Sequence, residues 1–133
     1  MLDATVASAL SSPDARQKVG IADSLARDDI FAFCCGGAAI GDANLLLARL
    51  WEREGDLPRA LSATRRRTGS YGNAPLYMSS FLREDGRLAA LTGDTAGAVR
   101  AYRHYLVLRA NPEPAVRPAV EGVRRELAAL LRR

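Results

Sequence analysis

Apolar residues recur along this chain at the spacing of amphipathic α-helices, and short turn sequences interrupt the pattern. Six segments are predicted helices; in the last five the apolar positions share one face of a helix, with polar positions between them, and the first is predicted from the capping sequence at its start. These segments predict helices over about 13–27, 43–54, 57–67, 75–92, 96–109 and 115–132. The pattern therefore favours an all-α fold.

Each of the last five segments has a stripe of residues that we expect to face a core. In chain order these residues are Leu46, Leu47, Leu50 and Trp51; Leu57, Ala60, Leu61 and Thr64; Leu76, Tyr77, Phe81, Leu82, Leu88 and Leu91; Ala98, Tyr102, Tyr105 and Leu106; and Val116, Val120, Val123, Leu127 and Leu130. The opposite face of the last segment is charged, as is typical of a helix that ends a helical stack. Its residues are Arg117, Glu121, Arg124, Arg125 and Arg132.

Two glycine-aspartate pairs, Gly55-Asp56 and Gly93-Asp94, each follow one predicted helix and precede another. Glycine adopts the left-handed conformation that ends a helix, and aspartate caps the amino end of the next helix. Pro58 is compatible with the first turn of the helix that follows the first pair. Both pairs therefore predict a tight corner between two antiparallel helices.

The two corners are related by an internal repeat. The glycines lie 38 residues apart, and a small residue, Ala60 or Ala98, follows each aspartate by four positions. A period of this length is typical of proteins built from repeated helix pairs. Gly86, inside a predicted helix, indicates a close crossing with a neighbouring helix, because glycine otherwise costs about 1 kcal/mol in a helix.

The first third of the chain is less regular. Residues 12–14 (Ser-Pro-Asp) indicate the start of a helix. Segment 28–43 is ambiguous, and within it the sequence IFAFCC at 30–35 is compatible with a buried helix or with an extended run. We interpret Gly36-Gly37 as a break and Gly41-Asp42 as the turn that precedes the helix at position 43. Residues 68–75 predict a loop, and the sequence NPEP at 111–114 predicts the end of the preceding helix.

The repeated unit resembles the tetratricopeptide repeat (TPR) family. The positions that carry the resemblance are Leu47, Ala48, Trp51, Gly55, Asp56 and Ala60 in the first unit, and Gly86, Ala89, Gly93, Asp94, Ala98, Tyr102, Leu106 and Pro112 in the second. The resemblance implies a short right-handed α-solenoid of antiparallel helix pairs. The domains it implies are an irregular helical segment (1–42), two helix pairs (43–114) and a capping helix (115–133).

The segment from about 45 to 131 also resembles the C-terminal end of long bacterial multi-TPR proteins, some of which have a protein kinase or cyclase domain upstream. The most specific part is REDGRLAALTGDTAGAVRAYRHYLVLRANPEP. No kinase motif is present in the sequence. The resemblance therefore implies a repeat module and no catalytic activity.

Composition agrees with this interpretation. In the 133 residues, 48% are hydrophobic, 26% charged and only 6% aromatic, which favours helices rich in alanine and leucine over a β-sandwich. The net charge is +4, and Lys18 is the only lysine among 19 basic residues. Residues 49–133 hold sixteen of these bases and nine acids. Solvated helix faces explain this excess, and binding of nucleic acid or an acidic partner is the alternative.

The two cysteines, Cys34 and Cys35, are adjacent, and we interpret them as small apolar residues because neighbouring cysteines seldom form a disulfide with each other. No segment approaches the roughly 20 apolar residues that span a bilayer, so no membrane span is expected. No signal peptide is visible at Met1. These features favour a cytoplasmic protein, unless the chain is a processed piece of a longer one.

No group of residues indicates catalysis, a cofactor or a metal. His104 is the only histidine and is expected on an exposed helix face. The sequence GGAAIG at 36–41 lacks the spacing of a phosphate loop and is interpreted as a turn. Residues 65–67 are three arginines, which stabilise the carboxyl end of a helix through its dipole. A phosphate-binding site is the alternative interpretation. The adjacent carboxylates at 28–29 and 84–85 do not face each other on a helix, so the chain is not expected to be an enzyme.

The sequence therefore predicts a non-enzymatic protein–protein interaction module, acting as a scaffold or adaptor for another protein or peptide. Self-association, or coating of a larger assembly, is a variant in which segment 28–41 forms the contact. The candidate partner-contact residues are Ile30, Phe31, Phe33, Tyr71, Tyr77 and Met78. Nucleic-acid binding through the arginine-rich half is the less favoured alternative.

Overall fold

A computed structural model of the chain describes residues 14–26, 37–66 and 74–132. Those residues contain helices and no strand, which confirms the all-α class. The chain divides into two compact units, Met1–Ala74 and Pro75–Arg133, called here the N-terminal and C-terminal units. The described helices of the N-terminal unit are α1 (Ala15–Ala26), α2 (Gly37–Arg53) and α3 (Leu57–Arg65). Those of the C-terminal unit are α4 (Ala74–Leu91), which starts at the boundary, α5 (Thr95–Leu108), a 3-10 helix (Pro114–Val116) and α6 (Arg117–Leu131).

Of the six α-helices in the described residues, five begin and end within about two residues of the predicted positions. The exception is α2, which begins at Gly37, six residues before the predicted start. The prediction of a turn at Gly41-Asp42 is therefore wrong, and so is the interpretation of residues 37–41 as part of a turn. A glycine inside a helix lowers helix stability by only about 1 kcal/mol relative to alanine. Gly41 therefore does not interrupt α2, because the nearby alanines favour the helix.

Both glycine-aspartate corners have the predicted geometry. Gly55 and Gly93 have φ values of 76° and 82°, in the left-handed region. In each corner the glycine N–H and the aspartate N–H donate back to carbonyls in the last turn of the preceding helix, which is the Schellman arrangement. Asp56 then accepts from the Arg59 N–H at 3.2 Å, and Asp94 from the Gly97 N–H at 2.9 Å. These contacts fold each helix back on its predecessor.

The core of the N-terminal unit forms where α2 packs against α1 and α3. Trp51 on α2 is its largest fully buried side chain, and Val19 of α1 is also buried. Leu47, Leu50, Ala60, Leu61 and Thr64 are buried as predicted. Leu46 and Leu57, also predicted to face the core, are half-buried. The small residues on α3 bring the two helices of the hairpin close together.

The core of the C-terminal unit is centred on Tyr102 of α5, which is 1% exposed. The Tyr102 ring packs against Gly86 of α4, where a Cβ atom would lie 2.9 Å from the ring Cζ and closer still to two other ring atoms. This contact confirms the predicted close crossing at Gly86. Phe81, Leu82, Leu88, Ala98, Tyr105, Val120, Val123 and Leu130 are buried as predicted.

One core prediction in this unit is wrong. Leu91 continues the apolar stripe of α4 but is 55% exposed. It shares a face of α4 with Arg87 and Ala90, which are themselves only half-buried, so no neighbouring helix fully covers that face. Val116, Leu106 and Leu127 are half-buried. The charged face of α6 is exposed as predicted, and none of the helices in the described residues is long and apolar enough to cross a membrane.

Candidate functional site

The predicted partner-contact residues are mostly outside the described part of the chain. The residues outside it are Ile30, Phe31, Phe33 and Tyr71, together with Cys34 and Cys35. Tyr77 and Met78 belong to α4, and Met78 is half-buried. The structure therefore does not test a contact surface made of these residues, and self-association through segment 28–41 stays a prediction.

A groove of about 320 Å³ lies in the C-terminal unit between α4 and α6, with α5 beneath it. Its lining residues are Arg87, Ala90, Leu91, Tyr102, Glu126, Ala129 and Leu130. Most of the lining is aliphatic or aromatic, while one charged residue of each sign lies at the wall. An apolar concavity with a few polar groups is the usual form of a ligand-binding surface.

Matching short sequences on two helices build this groove. Residues 87–91 read RLAAL, and residues 126–130 read ELAAL. On a helix the first, fourth and fifth residues of such a segment share one face. Each helix therefore presents a charged residue, an alanine and a leucine to the groove. The two alanines are too small to close the space between the helices.

Tyr102, at the base of the groove, is paired with Glu126 at its wall. The Tyr102 hydroxyl donates a short hydrogen bond to Glu126 Oε2. Burial of the ring, followed by the hydrogen bond and the negative charge of Glu126, raises the pKa of the Tyr102 hydroxyl well above its usual value near 10. Tyr102 therefore keeps its proton in the folded protein and uses it to hold Glu126.

The other charged residue of the groove is also held by a neighbour. Arg87 donates to Glu84 Oε2 from Nε at 3.1 Å and from Nη2 at 2.8 Å. The two residues are three apart on α4, where side chains are neighbours. This pair fixes the Arg87 guanidinium at the wall of the groove.

The N-terminal unit has an aromatic-cation cluster around Trp51. The guanidinium carbons of Arg16 and Arg59 lie 5.7 and 4.7 Å from the centre of the indole ring. Arg16 also pairs with Asp56 at 2.8 Å, and Arg59 Nε lies 3.7 Å from the same carboxylate. The indole Nε1 is buried without an acceptor among the described residues, so Trp51 interacts through its ring faces. The cluster attaches α1 to the corner between α2 and α3.

A cavity of about 240 Å³ adjoins this cluster and is lined by Gly20, Asp23, Ser24, Trp51 and Arg59. Its charged residues already serve the fold. Arg66 forms an ion pair with Asp23 and donates to the Asp23 carbonyl at 3.4 Å. Arg66, the middle residue of the arginine cluster, is thus engaged within the protein and does not offer the phosphate site that the sequence left open.

The residues considered for catalysis that fall within the described chain do not form a catalytic group. His104 is exposed on α5, as predicted. Asp85 is buried, whereas Glu84 pairs with Arg87. Residues 28–29 lie outside the described chain. In the described ranges, no three His, Cys, Asp or Glu side chains are grouped as a metal ion would require.

The class defined by these observations is an all-α protein with two compact units, each containing a helix hairpin, and an apolar groove in the second. Comparisons with models of protein families, with characterised proteins and with solved structures found no match to the chain.

The sequence does not reveal the groove, because the apolar stripe of α4 predicts that Leu91 is buried, whereas it lies exposed at the groove edge. A signal was nevertheless present in the two LAAL segments, 88–91 and 127–130. Their identity places the same small and large residues on two different helices. Only the packing of α4, α5 and α6 decides that these faces lie across a groove.

Proposed function

We propose that this chain is a non-enzymatic protein-interaction module, a scaffold or adaptor, built from two tetratricopeptide-like helix hairpins. The hairpins α2–α3 and α4–α5 support the proposal because they have the same corner and small residues at matching places. Three of these matches, each 38 residues apart, are Ala48 and Gly86, Ala60 and Ala98, and Ala63 and Ala101. We further propose that successive hairpins stack as a short right-handed solenoid.

The observation that carries the functional proposal is the groove between α4 and α6. Leu91 is more than half exposed at its edge, beside Ala90 and Ala129. Exposed apolar surface rimmed by polar residues is typical of a surface that another protein covers. Helical-repeat proteins use such surfaces to bind peptides or helices of their partners.

Selection from a random peptide library displayed against the full chain would test this function. We expect enriched peptides whose binding is lost in Leu91→Glu, because the substitution places a charge in the apolar groove. Val107→Glu is the matched control, since Val107 is an exposed aliphatic residue of the same unit (72% exposed) that does not line the groove. Enrichment of no peptide, or equal binding to both variants, would contradict the proposal.

A further inference from the structure

The chemistry of the groove restricts what it can bind. Its apolar lining consists of Ala90 and Leu91 on one side and Ala129 and Leu130 on the other. A volume of about 320 Å³ is at the lower end of ligand pockets, enough for one or two aliphatic side chains. The groove is therefore suited to an aliphatic anchor presented by a larger partner.

The polar groups that line the groove are each held by a partner within the protein. The Tyr102 hydroxyl donates its only proton to Glu126, and Arg87 is paired with Glu84. An apolar group does not have to replace these hydrogen bonds, so it can enter the groove without breaking either pair.

The surroundings of the groove are basic. Arg83 lies one helical turn before Arg87, while Arg125 and Arg132 lie four residues before and three residues after Ala129. All three are exposed, and the described ranges of the chain provide none of them with a carboxylate partner. The C-terminal unit as a whole holds ten arginines and six carboxylates. A partner with carboxylates beside its apolar anchor would complement this charge.

We propose that the groove binds a leucine-sized aliphatic side chain on an acidic segment of a partner protein. This inference rests on the proposed interaction function and specifies its ligand. The aliphatic side chain lies between the two alanines, and the carboxylates of the segment pair with Arg83, Arg125 and Arg132. Apolar burial supplies most of the affinity, and the charges select acidic over basic segments.

The test uses three labelled helical peptides of equal length, with binding to the full chain followed by fluorescence anisotropy. The first has leucines on one face and glutamates elsewhere, the second replaces the glutamates by lysines, and the third replaces the leucines by serines. We expect the leucine-glutamate peptide to bind about tenfold or more tightly than either of the others at low salt. Added salt should reduce the difference in affinity between the leucine-glutamate peptide and the lysine peptide, because it screens the charges.

Matched variants locate the site. Ala129→Leu fills the groove and should weaken binding of the leucine-glutamate peptide about tenfold or more. Ala128→Leu makes the same change at an exposed neighbouring position that does not line the groove, and it should bind like the original chain. Reversing the charges of Arg83 and Arg132 to glutamate should abolish the preference for glutamate over lysine. The same reversal at Arg100 and Arg103, exposed on α5 and outside the groove, should preserve it.

The outcomes separate this inference from the function on which it rests. Equal binding of both leucine peptides, lost in Ala129→Leu, would overturn the acidic-partner inference and leave the interaction function standing. Equal binding of the leucine and serine peptides would overturn the aliphatic anchor. Competition by single-stranded DNA that depends on Arg100 and Arg103 would instead indicate a nucleic-acid surface. If no peptide binds and library selection also fails, the interaction function fails as well.

Discussion

At the scale of single residues, Gly86 and Tyr102 decide how closely α4 and α5 pack. Glycine is required at this position by space, because the Tyr102 ring occupies the place of a side chain. The contact also sets the position of the Tyr102 hydroxyl, which holds Glu126 at the wall of the groove. One small residue thus positions both the core and the candidate site.

We expect Gly86→Ala to lower the free energy of unfolding by about 2–3 kcal/mol, because the added methyl group overlaps the Tyr102 ring. Gly122→Ala is the matched control, since its Cβ would meet only the flexible end of Arg125 at 4.0 Å. That control should raise the free energy of unfolding by about 0.5–1 kcal/mol through helix propensity. Urea denaturation measures both, and equal effects would contradict the packing argument.

The Tyr102 hydroxyl should make stability depend on pH in the alkaline range. Its pKa is raised in the folded protein by burial and by Glu126, so the unfolded chain releases this proton at lower pH than the folded protein does. The contribution of Tyr102 is fully present below about pH 10 and is lost as the pH rises above that value. Denaturation curves at increasing pH should show a steeper loss for the original chain than for Tyr102→Phe. If the original chain and Tyr102→Phe lost the same free energy of unfolding as the pH rose, Tyr102 would not be the cause of the alkaline pH dependence.

At the scale of elements, the two corners show how a two-residue sequence turns the chain. Gly93 has open space around the position of a Cβ, so a substitution there strains only the backbone. We expect Gly93→Ala to cost about 1 kcal/mol and Gly93→Asn less, because asparagine tolerates the left-handed conformation better. Thermal denaturation followed by circular dichroism would measure this order. Equal costs would show that the left-handed conformation is not what requires glycine.

The attachment of α1 to the α2–α3 hairpin depends on ion pairs at both ends of the helix. Near the carboxyl end of α1, the Asp23 side chain is 5% exposed and pairs with Arg66. The backbone carbonyl of Arg66 in turn accepts a hydrogen bond from the Asn44 side chain of α2 at 3.4 Å. Near the amino end of α1, Arg16 pairs with Asp56 over the Trp51 ring. These contacts hold both ends of α1 against the hairpin, in addition to its buried residues Ala15 and Val19.

We expect Asp23→Ala to cost about 2 kcal/mol, because it leaves the largely buried guanidinium of Arg66 without its carboxylate. Glu121→Ala is the control, since it removes a carboxylate from an ion pair with Arg124 in which both side chains are more than half exposed. That pair should contribute less than about 0.5 kcal/mol. Chemical denaturation would compare the free energies of unfolding of the two variants. Similar losses would show that burial does not increase the contribution of the Asp23–Arg66 pair.

At the scale of the whole molecule, the chain has two compact units, each with a buried core. Trp51 fills one core and Tyr102 the other. We expect Gly86→Ala to increase amide hydrogen exchange in α4, α5 and α6 more than in α1, α2 and α3, because the disturbed contact belongs to the C-terminal unit. Exchange measured by mass spectrometry would test this. Equal increases in both units would indicate that they unfold together.

Much of this fold could be predicted because its signals are local. Gly55-Asp56 and Gly93-Asp94 specify corners through backbone conformation and capping, which depend on adjacent residues. Glycines that do not need a left-handed conformation gave a weaker signal, and Gly41 was wrongly assigned to a turn although α2 runs through it. The groove was less predictable, because the exposure of Leu91 depends on which neighbouring helix covers it.

The sequence by itself determined the helical class, the two corners and the small residues at the Gly86 crossing, because helix periodicity, caps and left-handed glycines act over a few residues. Only the tertiary structure decided that Tyr102 reaches Glu126, that Arg66 is engaged by Asp23, and that two LAAL segments face one groove. These contacts join residues more than 20 positions apart. Side-chain packing sets such distances, and the spacing of residues along the chain does not specify them.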